Sequence, residues 1–146
     1  MTGATKISEL LGDDHQRLDA LWDLVQTAAP TDHPNLRERF DQFQADLLRH
    51  MSIEEEELFP KMLAGDPAQR VLVERLVEEH RQIQDVLARI ALELDRGAVL
   101  FHELRTELLN VLWAHNAREE DSAYPWFDGI LPSSEVARLR ARITVP

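Results

Sequence analysis

His50-Met-Ser-Ile-Glu54-Glu-Glu-Glu-Leu-Phe-Pro60 and His115-Asn-Ala-Arg-Glu119-Glu-Asp-Ser-Ala-Tyr-Pro125 carry the same device twice. Each sets a His and a Glu four positions apart, which on a helix stacks one above the other on a single face. That face is otherwise apolar. Phe40, Phe43 and Leu47 lead into His50 and Glu54, and Leu104, Leu108 and Leu112 lead into His115 and Glu119, all at helical spacing. A stripe facing a core should be Leu, Ile, Val and Phe. An ionised Glu buried there without compensation costs several kcal/mol, so two of them call for a partner charge.

Working outward, a shift of 65 positions carries His15, His50 and Glu54 onto His80, His115 and Glu119. Asp13-Asp-His-Gln-Arg-Leu18 falls on Glu78-Glu-His-Arg-Gln-Ile83, Glu54-Glu55 on Glu119-Glu120, and Phe59-Pro60 on Tyr124-Pro125. This is a gapless internal repeat whose unit is a helical hairpin. A lone hydrogen-bonded His in a core is commoner than a metal ligand, and one His-x3-Glu pair is weak evidence of a site. Both arriving twice in one register is a different matter.

The rest of the chain supplies the helices. Leu11, His15, Leu18, Trp22 and Val25 form the first stripe, with Ser8 as the expected N-cap and 28–33 as the break. The second helix is expected from about Pro34 to Leu63, with Pro60 disturbing its last turns. Gly65-Asp66-Pro67 is a turn, with Asp66 as N-cap of a third helix (Leu72, Leu76, His80, Ile83, Leu87, Ile90, Leu94) that Gly97 closes. The fourth is expected from about Ala98 to Tyr124-Pro125, and a short amphipathic tail helix over 133–143. The expectation is an all-α fold. Two duplicated hairpins make an up-down-up-down four-helix bundle over about 8–128, and a C-terminal helix completes one domain over 1–146.

Composition narrows the function. The chain has 146 residues, a formal charge of −11 and no Cys. The acidic surplus argues against nucleic acid and anionic membrane surfaces as partners. Without Cys there is no disulfide, thiol catalysis or Cys-ligated metal. No apolar run spans a membrane and Met1–Lys6 has no hydrophobic signal region, so a soluble cytoplasmic protein is expected.

Four imidazoles and two carboxylates are too many for one tetrahedral zinc. Two ions fit better, each taking two of His15, His50, His80 and His115, with Glu54 and Glu119 bridging both. An oxo or hydroxo bridge would make each five-coordinate and leave a position open for a small diatomic or peroxide ligand. Such mixed donors suit iron, with manganese or zinc as alternatives. The Glu-x2-His of ferritin-like sites is missing, since Leu47, Val77 and Leu112 stand three before the helix-borne His residues.

His15, His50-Met-Ser-Ile-Glu54-Glu-Glu-Glu-Leu-Phe-Pro60, Glu79-His80 and His115-Asn-Ala-Arg-Glu119-Glu together resemble the hemerythrin-like HHE cation-binding family over about 8–128. The resemblance implies a four-helix bundle around a non-heme di-iron centre that binds oxygen, nitric oxide or peroxide. Oxygen-carrying hemerythrins have a fifth His one turn after the third-helix His, where this chain has Gln84, whose repeat mate is Asp19. The four-His, two-Glu set resembles instead the nitrosative-stress proteins that repair iron centres, which carry a Cys-containing segment absent from this Cys-free sequence. It also resembles stand-alone bacterial relatives linked to peroxide decomposition or nitric oxide response. An enzymatic role would then be peroxide-decomposing or nitric-oxide-related; the alternatives are a non-catalytic iron or gas sensor or storage protein, and a metal-free interaction bundle.

Around the ligands, Asp19 and Gln84 are candidates for outer hydrogen-bond partners, with a solvated face the plainer reading for Asp19. Tyr124 could bring a phenol near the site, though packing at the bundle end is the plainer role. Glu55 and Glu120 are expected to be exposed, Trp22 and Trp113 to lie in the core, and His33 and His102 at the surface.

Overall fold

In the computed structural model, which describes residues 6–97 and 102–144, every regular element is helical. Helix α1 (Ile7–Gln26) turns back into α2 (His33–Ile53), and α4 (Arg70–Asp95) is followed by α5 (His102–Arg118). Short α3 (Phe59–Gly65), α6 (Tyr124–Asp128) and α7 (Ser133–Ile143) complete the chain. The expected start of the fourth helix at Ala98 lies outside the described residues, as do positions 1–5.

Local chemistry sets the boundaries. Asp32 caps α2 by accepting from the Asn35 N–H at 3.2 Å, with Pro34 in the first turn. Asp66 accepts from the Ala68 N–H at 3.1 Å, opening a 3-10 turn (Pro67–Gln69) that leads into α4. Gly97, with φ 71°, closes α4 in the left-handed conformation that glycine tolerates. Ser8 is not the N-cap of α1. Lys6 holds that position, while the Ser8 hydroxyl and amide bind the Asp128 carboxylate at 2.5 and 3.0 Å, tying α1 to the end of α6.

The disturbance expected at Pro60 is a widened turn. A π-helical segment, Glu54–Leu58, joins α2 to α3, with the Phe59 N–H donating to the Glu54 carbonyl five residues back. Proline has no N–H to continue the ordinary ladder, so the wide turn absorbs the missing bond. The second copy does the same over Glu119–Ala123, where the Tyr124 N–H reaches the Glu119 carbonyl ahead of Pro125. Both wide turns begin at the Glu of a His-x3-Glu pair.

Helices pack most closely within each hairpin, α1 on α2 and α4 on α5. Two apolar layers result. One, toward the connection between α1 and α2, contains Leu18, Trp22, Phe40, Phe43, Ile83, Ile90 and Leu112. The other contains Ile7, Leu11, Ile53, Phe59, Met62, Leu76 and Phe127, and α7 covers it with Val136, Leu139 and Ile143. Arg138 and Arg142 of α7 pair with Glu57 at 3.0 and 2.8 Å. Trp113 is a correction: it is 58 % exposed, because it stands one residue past buried Leu112 and the helix turns about 100° per residue. No described helix is long and apolar enough to cross a membrane.

Candidate metal centre

Between the two apolar layers lies a polar one. His15, His50, Glu54, His80, His115 and Glu119 are all buried, with the two Glu residues fully so. They form two overlapping sets, His15–His50–Glu54–Glu119 and Glu54–His80–His115–Glu119, within each of which one donor atom per residue lies within 4.8 Å of the others. Glu54 and Glu119 belong to both. Helical phase produces this arrangement: His50 and Glu54, and His115 and Glu119, continue the stripes of α2 and α5, while His15 and His80 interrupt those of α1 and α4.

The imidazoles are aimed. Each His turns Nε2 toward the middle and donates from Nδ1 to a carboxylate behind it. His50 pairs with Asp14 at 2.7 Å, His115 with Glu79 at 3.0 Å, His80 with Glu55 at 2.7 Å and His15 with Glu120 at 2.6 Å. Such a backing carboxylate fixes the tautomer that leaves Nε2 free to ligate and raises its basicity. Asp14 is held in turn by Arg17 at 2.8 Å, and Glu79 by Arg118 at 3.1 Å. Among the described residues Glu55 and Glu120 have no such anchor, and their side chains are 36 and 49 % exposed.

Among the described residues, three buried side-chain polar atoms lack a hydrogen-bond partner, and two of them are His115 Nε2 and Glu119 Oε2. His115 Nε2 does lie 3.2 Å from Glu119 Oε1, but an imidazole nitrogen and a carboxylate oxygen that make no hydrogen bond in a buried layer cost about 1–3 kcal/mol each unless a third party engages both. A cation does so. Buried imidazole nitrogens and carboxylate oxygens converging in this way are a donor set of the kind that holds metal ions.

The family model for the hemerythrin HHE cation-binding domain matches residues 6–127. The chain belongs to the hemerythrin HHE family. No curated protein and no solved structure matches the chain. Membership therefore brings cation binding and a helical bundle, while the choice of ion and of chemistry rests on the residues themselves.

Electrostatics inside this hemerythrin-type layer are strongly coupled. Burial would lower the His50 pKa, but Glu54, Asp14 and Glu119 raise it to about 10, and His115 is raised against the same opposition to about 9 by Glu119, Glu54 and Glu79. His80 is also raised. Burial opposes ionisation of Glu54, yet His50, Glu119 and His80 hold its pKa well below the usual range. The carboxylates attract positive charge that either protons or metal can supply.

Tyr124 sits in the middle of the polar layer, which corrects its reading as bundle-end packing. Its hydroxyl donates to Glu54 Oε2 at 2.6 Å and lies 3.0 Å from Glu119 Oε1. Burial and both carboxylates push its pKa well above the usual phenol value. Asp19 and Gln84 are exposed and make no hydrogen bond to the cluster. Leu18 and Trp22, or Ile83 and Leu87, carry each stripe onward and rotate the position four after the His outward. The backing carboxylates Asp14, Glu55, Glu79 and Glu120 carry no ligand motif of their own in the sequence. Their signal was the repeat itself, which maps Asp14 onto Glu79 and Glu55 onto Glu120.

Proposed function

We propose that the chain is a non-heme di-iron protein in which His15 and His50 serve one ion, His80 and His115 the other, and Glu54 and Glu119 both. The single observation that carries this reading is the pair of overlapping donor sets sharing two fully buried carboxylates. Iron, when bound, supplies a redox-active Lewis acid to which a small oxidant (oxygen, nitric oxide or peroxide) can add.

The protein's own contribution is positioning and exclusion. Asp14 and Glu79, clamped by Arg17 and Arg118, orient His50 and His115. Apolar layers above and below keep bulk water from the middle and strengthen every charge interaction there. The buried Tyr124 hydroxyl is a hydrogen-bond donor at the centre. Among the described residues His15 is the donor that lines a surface groove, while His50, Glu54, His80, His115 and Glu119 are buried, which favours a small ligand. A role in oxidative or nitrosative stress follows from that ligand class.

Iron-loaded protein mixed with peroxide, with dissolved oxygen followed at an electrode, tests the enzymatic form of the proposal. Oxygen evolution that disappears in His50→Ala supports it. An inert wild type leaves a binding protein, to be read from the optical spectrum of the anaerobic reduced sample after oxygen, nitric oxide and peroxide in turn.

A further inference from the structure

The repeat breaks at one place inside the centre. Phe59 and Tyr124 are related by the 65-residue shift, and only Tyr124 carries a hydroxyl. Besides its contacts with Glu54 and Glu119, that oxygen lies 3.1 Å from His15 Nε2 and 3.3 Å from His50 Nε2. It is thus within hydrogen-bond range of all four residues of the first donor set, and those lone pairs are the ones an ion would use.

Glu54 and Glu119 are shared, but the imidazoles of the second set, His80 and His115, have no such competitor. The Phe59 ring stacks on His80 with centroids 5.8 Å apart and offers no polar atom. Here lie the two orphaned atoms, His115 Nε2 and Glu119 Oε2, together with a His80–Glu54 contact of 3.1 Å. Access differs in the same sense. A groove of about 570 Å³ beside α1 and α5, lined by Gly12, Gln16, Trp113, Asn116 and Glu120, reaches His15. At the repeat-related face Gly12 and Asn116 are replaced by Val77, which packs on the second apolar layer, and by buried Met51.

We propose that the two metal positions fill in order. The position between His80 and His115 takes an ion first and tightly; the position between His15 and His50 takes one second and reversibly, through the α1–α5 groove, because the Tyr124 hydroxyl competes for its donors. Binding at the second set engages two atoms, His115 Nε2 and Glu119 Oε2, that make no hydrogen bond, and displaces no tyrosine hydroxyl from its imidazoles. Binding at the first must displace a hydrogen bond to a buried charged carboxylate, which weakens it by roughly ten- to a hundredfold.

This inference rests on the two-ion reading, and one titration separates the two. Chelator-treated 146-residue protein is titrated anaerobically with cobalt(II), with binding followed by calorimetry and by visible absorption, and bound cobalt counted at saturation. Two resolved steps of one ion each are expected. His115→Ala should remove the tight step and His15→Ala the weak one. Tyr124→Phe should tighten the weak step by roughly ten- to a hundredfold and leave the tight step unchanged. The reciprocal Phe59→Tyr should weaken the tight step, which guards against a Tyr124 variant that fails to fold. Two ions bound in a single step of equal affinity would overturn the order. So would a weak step lost in Tyr124→Phe, since tyrosine would then be a ligand. A protein that binds no cobalt overturns the two-ion reading itself.

Discussion

The four carboxylates behind the imidazoles divide into two pairs. Asp14 and Glu79 are buried, belong to the same hairpin as the His they hold, and are clamped by arginine. Glu55 and Glu120 reach across to the other hairpin, pairing with His80 and His15, and stand partly in solvent without a cation among the described residues. Each donor set therefore has one His on a rigid mount, His50 or His115, and one on a loose mount, His80 or His15. The repeat has kept the chemistry facing the centre and let the supports differ in stiffness, which places adaptability at the seam between hairpins.

The most damaging change ignores that division, because Glu54 and Glu119 serve both sets. Glu54→Gln combined with Glu119→Gln should reduce bound metal from two ions to none. It should also lower the melting temperature of the metal-free protein at neutral pH, since His50 and His115 lose the carboxylates that hold their protons. Loss of a mount is milder and should depend on which mount it is. Asp14→Asn or Glu79→Gln should lower metal affinity about 10–100-fold, the usual range for a ligand's hydrogen-bond partner. Glu55→Gln or Glu120→Gln should cost only a few-fold, because exposed carboxylates are screened and water can substitute. Equal losses across all four would erase the distinction between rigid and loose mounts.

Acidity gives a graded effect. His50 and His115 have folded pKa values raised to about 10 and about 9 from 6.5, so without metal their protonated forms stabilise the fold fully below about 6.5. That contribution fades as pH rises through about 9 and 10. Metal must displace the same protons, so affinity should climb with pH over this window, with proton release visible in a weakly buffered titration. The smallest effect belongs to the tail. Arg138 and Arg142 hold the Glu57 pKa down to about 2, and acid should weaken α7 docking only as pH falls from about 4.5 toward 2. Glu57→Gln should shift the melting temperature slightly at neutral pH, since exposed ion pairs contribute little.

Much of this was legible in the residue string. Gly97, Asp66-Pro67 and Asp32 punctuate the chain by chemistry that acts locally, and the repeat fixed which His and Glu share a face. What escaped depends on tertiary neighbours. Glu55 and Glu120 look like surface residues because they partly are, and their pairing to His80 and His15 crosses between hairpins. Trp113 has a core residue's side chain at an outward position, because helical phase one step past Leu112 outweighs residue type. The depth of Tyr124 follows from the wide turn at Glu119–Ala123, an extra residue in the helix that no hydropathy pattern announces. Ser8 likewise resembles a cap until Asp128, 120 residues on, is seen beside it.

Two metal ions held by six buried side chains, as proposed, can be counted directly. Iron per chain, measured by plasma mass spectrometry after iron-replete expression and desalting, is the most direct test. Two are expected for the wild type and none for the Glu54→Gln, Glu119→Gln double variant. A wild type far below one, or a double variant still holding two, would contradict the proposal.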